Sequence, residues 1–159
     1  MLAQGVAPEA APAGRRVLAV DFGERRIGLA ISDPERRLAL PLGVVERRSD
    51  RQAIGDLRDL ARREEVGLLV VGEPRSPEGE SGPATRRARA FGERLARACR
   101  LPCRFVEETL TTVEALSRLG RGSQRGHPGR TGSQGPPVDA LAAQVILEEA
   151  ISRRLVEEA

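Results

Sequence analysis

The stretch Val17-Leu-Ala-Val-Asp21-Phe-Gly-Glu-Arg-Arg-Ile-Gly-Leu-Ala-Ile-Ser-Asp33 decides the fold. Its first apolar run, 17–20, has the length of a buried strand, and a second run, 27–31, follows after a short break. Gly23 lies in that break, which predicts a hairpin with a tight or bulged turn. Asp21 then stands at the end of a buried strand, where a carboxylate is costly to desolvate. A metal ion, a backbone amide or an arginine would each offset that cost.

The rest of the chain alternates between strand and helix patterns. Residues 38–45 form an apolar run that contains Pro41, which predicts an edge strand or a bulge. The sequence Ser49-Asp-Arg-Gln52 is a capping-box pattern that opens a helix. Residues 68–71 form another buried strand, which ends at Gly72. The element order β-β-β-α-β-α-β-α-α predicts an α/β domain with a mixed five-stranded sheet and helices on both faces.

The last helix is predicted to begin near Pro137 and to run to the end of the chain. Asp139 precedes Ala142 by three residues, so it lies on the core side of the first turn. A helix N-terminus partly stabilises such an inward carboxylate, which gives Asp139 a purely structural interpretation. The apolar stripe that this helix is expected to bury consists of Val138, Leu141, Ala142, Val145 and Ile146.

Length and composition predict one domain. The chain has 159 residues, of which 40% are hydrophobic, and this is enough for a core. We expect a disordered tail over 1–15, a single domain over 16–159 and a mobile Gly- and Pro-rich loop over 120–137. No apolar run approaches the roughly 20 residues of a membrane span, and the first residues lack the order of a signal peptide. These features predict a cytoplasmic protein.

The basic residues permit a nucleic-acid partner. All 26 are arginines, against 23 acids, for a net charge of +3. Aromatic residues make up only 2% of the chain, which argues against stacking of bases on aromatic side chains. The basic face of the helix near residues 83–98 has two interpretations of equal weight, a solvated surface and a phosphate contact. The arginines that we expect to face nucleic acid are Arg25, Arg26, Arg75, Arg86, Arg87, Arg125 and Arg130.

The two cysteines predict neither a zinc site nor a disulfide framework. Cys99 and Cys103 flank Leu101-Pro102, and the only histidine, His127, lies in the Gly-rich loop. Structural zinc needs about four ligands, which this chain does not offer at a suitable spacing. Two reduced and partly buried thiols are the expected state.

Three acidic positions are not explained as solvated surface. They are Asp21 after the first strand, the pair Glu107-Glu108 after the last strand, and Asp139 on the last helix. If the first and last strands are neighbours, the three converge at one edge of the sheet. Converging carboxylates bind hard cations such as Mg²⁺ or Mn²⁺, and two ions roughly 4 Å apart can assist phosphodiester hydrolysis.

Four segments give the chain a recognisable resemblance. They are Asp21-Phe-Gly-Glu-Arg-Arg-Ile-Gly28 with Ser32-Asp33, Val70-Val-Gly-Glu-Pro74 with Gly79-Glu-Ser-Gly82, Glu107-Glu-Thr-Leu-Thr-Thr112, and Val138-Asp-Ala-Leu-Ala-Ala143. In this order the chain resembles the YqgF/RuvX family of bacteria, which are Holliday-junction-resolvase-like proteins linked to pre-16S rRNA maturation. The resemblance covers residues 17 to about 151.

The resemblance implies an RNase H-like fold and a metal-dependent nuclease site with Mg²⁺ or Mn²⁺, in a pair of ions. It implies that Asp21, Glu108 and Asp139 are the catalytic residues and metal ligands. Glu108 is preferred to Glu107 because it matches the more constant acid of the family. The residues that the resemblance places around these ligands are Glu107, Gly23, Thr111 and Thr112.

Three departures from the family pattern concern substrate contacts. Thr109 stands where the family usually has arginine, so a fixed positive charge beside the acids is missing. Glu73 replaces an apolar residue, and the segment before Asp139 is long and rich in Gly and Pro rather than short and basic.

The resemblance favours pre-16S rRNA as the substrate, with branched DNA as the alternative. Ribosomal assembly intermediates and a second copy of the chain, as a homodimer, are the further expected partners. Two other functions stay open at this point. One is a non-catalytic RNA- or ribosome-binding module of the same fold. The other is an actin-like or sugar-kinase phosphate loop, which would need a second domain that a chain of this length does not hold.

Overall fold

The computed structural model of the chain describes residues 15–75, 82–108 and 135–157. Residues 1–14 of the predicted tail, the helix expected after Thr111 and residues 120–134 of the predicted loop lie outside these residues. Thr109, Thr112, Arg125 and Arg130 lie outside them as well.

The described elements follow the predicted order. The strands are β1 (Arg16–Phe22), β2 (Arg26–Ser32), β3 (Ala39–Glu46), β4 (Val66–Pro74) and β5 (Cys103–Glu108). The helices are α1 (Asp50–Arg63), α2 (Pro83–Cys99) and α3 (Val138–Ser152).

The strands form one mixed sheet in the order β3-β2-β1-β4-β5. The pairs β1–β2 and β2–β3 are antiparallel, whereas β1–β4 and β4–β5 are parallel. The predicted five-stranded mixed sheet is thus confirmed. The first and last strands, however, are not neighbours, because β4 lies between them. The carboxyl ends of β1, β4 and β5 still lie at one edge of the sheet, since these three strands run in parallel.

Side-chain alternation divides the sheet into two buried faces. One face packs against α1 and α2 through Leu18, Val20 and Phe91, and it is called the α1/α2 face here. The other packs against α3 through Ala19 and Leu147, and it is called the α3 face. Helices therefore cover both faces, as predicted, and each residue near a strand end belongs to one face or the other.

Two local predictions are confirmed by the geometry of the chain. Ser49 accepts a hydrogen bond from the backbone of Gln52, and the Gln52 side chain reaches back to the cap, which completes the capping box of α1. Pro41 lies on β3 at the edge of the sheet, where the pairing with β2 shifts register between Leu29 and Ala30.

Both cysteines, Cys99 and Cys103, are free thiols and are partly buried.

The predicted buried stripe of the last helix is rotated. Ala140, Ala143 and Leu147 are buried, whereas Val138 and Leu141 are only partly covered. The helix is apolar on nearly every side, so periodicity alone could not select its inner face. The helix also ends at Ser152 rather than at the end of the chain. Within the described ranges, no helix has the length and apolarity required to cross a membrane.

Candidate active site

Asp21 lies on the α3 face at the carboxyl end of β1. It shares this face with Ala19 and Val17, two and four residues earlier, because side chains alternate along a strand. Across the hairpin it pairs with Gly28 of β2. The neighbouring Phe22 points to the opposite face, where its ring stacks on Phe91 with 4.5 Å between centroids. The hairpin thus anchors Phe22 in the core and leaves Asp21 at the sheet edge.

Glu108 reaches Asp21 across the intervening strand. Val20 pairs with Val71 of β4, so Gly72 lies level with Asp21. Glu108 lies on β5 beyond β4, and its carboxylate extends back over Gly72. A Cβ at position 72 would collide with this carboxylate and with Cδ1 of Ile146. Gly72 therefore provides the space in which side chains from two non-neighbouring strands meet.

Asp139 enters from α3, which lies close to the sheet at this point. A Cβ on Gly28 would collide with the backbone carbonyl of Asp139, so the first turn of α3 rests directly on β2. Because Gly28 pairs with Asp21, this close approach brings Asp139 beside Asp21. The negative charge of Asp139 is one of the causes that raise the pKa of Asp21.

The two strand carboxylates share a proton. Burial, the charge of Asp21 and the hydrogen bond to Asp21 raise the pKa of Glu108 to about 8. Burial also raises the pKa of Asp21, and the hydrogen bond from Glu108 opposes this effect. Glu108 is therefore the donor and Asp21 the acceptor. Among the described residues, Oε1 of Glu108 is buried without a hydrogen-bond partner.

The carboxylates of Asp21 and Glu108 are suited to a hard cation, although three ligands do not yet surround one point. No three acidic, histidine or cysteine side chains of the described segments surround one point as a ready-made metal site. The Asp21–Glu108 pair nevertheless offers an unpaired buried oxygen, and Glu108 keeps its proton because burial, the charge of Asp21 and the hydrogen bond to Asp21 disfavour its ionisation. A divalent cation would relieve both costs, and carboxylate oxygens are the ligands that Mg²⁺ and Mn²⁺ prefer.

Glu107 points away from this pair. Successive side chains on a strand alternate, so Glu107 lies on the α1/α2 face while Glu108 lies on the α3 face. Its carboxylate is 2.6 Å from Nη2 of Arg75. Arg75 is also 3.9 Å from Glu73, a carboxylate that is only 5% exposed. Sequence patterns do not reveal this ion-pair cluster, although the departure of Glu73 from the family pattern is a signal for it.

The other predicted site residues lie at the same edge or outside the described segments. Gly23 closes the β1–β2 hairpin, and its carbonyl accepts a hydrogen bond from Nε of Arg47 at 3.2 Å. Arg25 and Arg26 are exposed at the start of β2, next to that turn. The first turns of α2 carry Arg86 and Arg87, which are exposed. The part of these residues in nucleic-acid binding stays a prediction, and Thr111, Thr112, Arg125 and Arg130 are not among the described residues.

Known proteins match the sequence over most of its length. The sequence model of the RuvX family, described as a Holliday junction resolvase, matches residues 15–153. A protein of Anaeromyxobacter sp. (strain Fw109-5), curated as "Putative pre-16S rRNA nuclease", is 43% identical over 135 residues, covering 84% of this chain and 93% of that protein. A protein of the same name from Maridesulfovibrio salexigens is 36% identical over 138 residues, covering 87% of this chain and 98% of that protein.

One solved structure shares the fold at low sequence identity. T. thermophilus RuvC in complex with a Holliday junction substrate superimposes with a TM-score of 0.52 at 17% identity. The alignment covers 91% of this chain and 98% of that one. The RNase H-like fold expected from the resemblance is thereby confirmed.

Proposed function

Because the chain belongs to the RuvX family, we propose that it is a metal-dependent endonuclease that hydrolyses phosphodiester bonds during 5′-end maturation of pre-16S rRNA. The observation that carries this proposal is the contact between Asp21 and Glu108 over Gly72, with Asp139 beside them. Such a group of acids at the carboxyl ends of parallel strands is positioned for substrate chemistry rather than for stability. Its expected place of action is the bacterial cytoplasm.

The three acids would hold Mg²⁺ or Mn²⁺, in a pair of ions. When bound there, the metal would neutralise charge at the scissile phosphate and lower the pKa of the attacking water. Glu108 must release the proton that it shares with Asp21 before both carboxylates can act as ligands. Asp139 adds a third carboxylate from the first turn of α3, where the helix dipole offsets part of its charge.

Cleavage of branched DNA is the second candidate function. The family model is described as a Holliday junction resolvase, and the solved RuvC structure holds such a junction. RNA and branched DNA present the same phosphodiester group to an acidic metal site, so the acids do not discriminate between them. A non-catalytic RNA-binding module is less favoured, because it would not need the costly contact between Asp21 and Glu108.

The experiment compares both substrates with matched variants. A pre-16S RNA carrying its 5′ leader and a four-way DNA junction are incubated with the protein and Mg²⁺ or Mn²⁺. We expect wild-type protein to cleave the RNA, and Asp21→Asn, Glu108→Gln and Asp139→Asn to reduce cleavage by at least about 100-fold. The control, Asp59→Asn, removes an exposed acid of α1 whose side chain is 66% exposed.

Each outcome has a defined meaning. Preferential cleavage of the junction by wild-type protein would show that branched DNA, rather than pre-16S rRNA, is the substrate. Wild-type activity in the Asp21→Asn variant, with its circular dichroism spectrum unchanged, would remove the metal-site hypothesis. Association with ribosomal assembly intermediates and homodimer formation stay predictions, which co-sedimentation and light scattering would test.

A further inference from the structure

Two carboxylates lie side by side on the face opposite the candidate site. Glu73 of β4 and Glu107 of β5 are paired in register on the α1/α2 face. Glu73 is 5% exposed, whereas the side chain of Glu107 is 55% exposed. Like charges on directly adjacent strand positions repel, and burial of Glu73 strengthens that repulsion. The end of β5 would therefore be pushed away from β4 unless a cation joined the two acids.

Arg75 and Arg89 provide that positive charge. Arg75 lies 2.6 Å from Glu107 and 3.9 Å from Glu73, so one guanidinium bridges both strands. Arg89 of α2 lies 3.1 Å from Glu73, and its guanidinium stacks over Phe105 of β5 at 4.8 Å. Arg75, Arg89, Glu73 and Glu107 are called the Glu73 cluster here. The cluster ties β4, β5 and α2 together at the edge where Glu108 emerges.

We propose that Arg75 is a positioning residue for the metal site, which acts through Glu107 on Glu108. This inference rests on the proposed function. Glu107 and Glu108 are consecutive, so the backbone that orients one side chain on the α1/α2 face orients the next on the α3 face. In the part of the sheet that the structure describes, β5 is an edge strand of 6 residues whose strand partner is β4. Fixing Glu107 to Arg75 therefore fixes the direction in which Glu108 reaches over Gly72.

The alternative is a phosphate contact, which the sequence predicted for Arg75. Its guanidinium already faces two carboxylates, and that environment weakens its attraction for a further anion of the substrate. The two roles differ in what they require of nucleic acid. A positioning residue affects the affinity for metal even when no nucleic acid is present. A phosphate contact affects only the affinity for substrate.

The experiment measures Mn²⁺ affinity by isothermal titration calorimetry without nucleic acid. We expect Arg75→Met and Glu107→Gln each to weaken Mn²⁺ binding by about tenfold, the effect typical when a group that orients a metal ligand is removed. The double variant should bind Mn²⁺ no more weakly than either single variant, because both changes break one ion pair. Arg75→Lys keeps the charge and should retain most of the affinity. Arg97→Met, an exposed arginine in the last turn of α2, is the matched control and should bind Mn²⁺ as wild type does.

The outcomes separate this inference from the proposed function. Unchanged Mn²⁺ affinity in Arg75→Met and Glu107→Gln, with weaker RNA binding in Arg75→Met alone, would overturn the inference and leave the nuclease assignment intact. A wild-type protein that neither binds Mn²⁺ nor cleaves nucleic acid would remove both. Thermal melting identifies any unfolded variant, and Glu107→Gln preserves the shape of the site if Arg75→Met fails to fold.

Discussion

At the scale of single residues, the decisive feature is a carboxyl group that is costly to ionise. Glu108 meets Asp21 in a partly buried position, and its pKa is raised to about 8. Perturbed carboxyl groups of this kind are frequent at functional sites, because the same arrangement that disfavours charge also attracts a cation.

This shift predicts a pH dependence of stability for the metal-free protein. The pKa of Glu108 rises from its ordinary value of 4.5 in the unfolded chain to about 8 in the folded state, so the folded state binds the proton more tightly. The stabilisation is fully present below pH 4.5 and is lost as the pH rises towards 8. From pH 5 to pH 8.5 in EDTA, the free energy of unfolding of wild type, followed by thermal melting, should decrease by about 4 kcal/mol.

Glu108→Gln is the comparison for this measurement. It cannot ionise at position 108, so its melting temperature should fall less over the same range. Parallel profiles for wild type and Glu108→Gln would contradict the shared proton. Adding Mn²⁺ should stabilise wild type more at pH 8 than at pH 5.5, since metal binding must displace that proton.

At the scale of secondary-structure elements, close packing of backbone and side chain shapes the site. Gly72 on β4 and Gly28 on β2 leave the space that Glu108 and Asp139 occupy. Neither glycine has a positive φ, so their purpose is the absence of a side chain rather than an unusual backbone conformation. Small side chains have the same effect in α3, whose alanines allow the helix to lie close to the sheet.

Substitution of Gly72 tests this role. Gly72→Ala places a methyl group against Glu108 and Ile146, which should destabilise the protein by about 1–3 kcal/mol and weaken Mn²⁺ binding. Gly55→Ala is the control, because beyond its chain neighbours and the backbone of its own helix no described atom lies within 4 Å of its Cβ position on α1. That change should stabilise the protein by about 0.5–1 kcal/mol through helix propensity. Urea unfolding measures both, and equal effects would argue against close packing at Gly72.

The capping box of α1 carries a second prediction at this scale. Ser49→Ala removes the hydrogen bond that the Gln52 amide donates at 3.1 Å. We expect a decrease of about 1 kcal/mol in the free energy of unfolding, measured by urea denaturation. Ser49→Asp keeps an acceptor at the cap and should remain near wild type. A decrease in Ser49→Asp as large as in Ser49→Ala would show that the hydroxyl has another role.

At the scale of the whole molecule, charge is distributed so that one edge combines acids and arginines. Asp21, Glu108 and Asp139 form the acidic centre, while Arg25, Arg26 and the first turns of α2 lie around the same strand ends. Nucleic acid held by arginines releases counterions on binding, so its affinity should fall steeply with salt. The small aromatic content leaves little alternative to backbone charge as the source of affinity.

Salt titration measures this contribution. Binding of single-stranded RNA to the Asp21→Asn variant should weaken with a clear negative slope of log affinity against log salt. Arg86→Gln combined with Arg87→Gln should reduce the slope by about 1.4, because each arginine that neutralises a phosphate accounts for about 0.7. Arg97→Gln, at the other end of α2, should leave the slope unchanged. A flat salt dependence in Asp21→Asn would count against nucleic acid as the ligand.

Local patterns were enough to predict much of this fold. The apolar runs at 17–20 and 27–31, the capping box at Ser49 and the edge proline Pro41 each act through nearest neighbours along the chain. The four segments that resemble the family extended this prediction to the fold and to the acids. The orientation of α3 was not predicted correctly. This helix is apolar on nearly every side, so the spacing of its apolar residues does not indicate which face is buried.

Sequence alone determined which residue types were available: three separated acidic positions, abundant arginine and almost no aromatic side chains. Only the tertiary structure decided how they meet. It placed β4 between β1 and β5, made Gly72 the opening through which Glu108 reaches Asp21, and turned Glu107 towards Arg75 on the other face. The physical reason is that strand order and side-chain direction arise from contacts between residues far apart in the chain. Local patterns of hydrophobicity therefore do not predict strand order or the direction of these side chains.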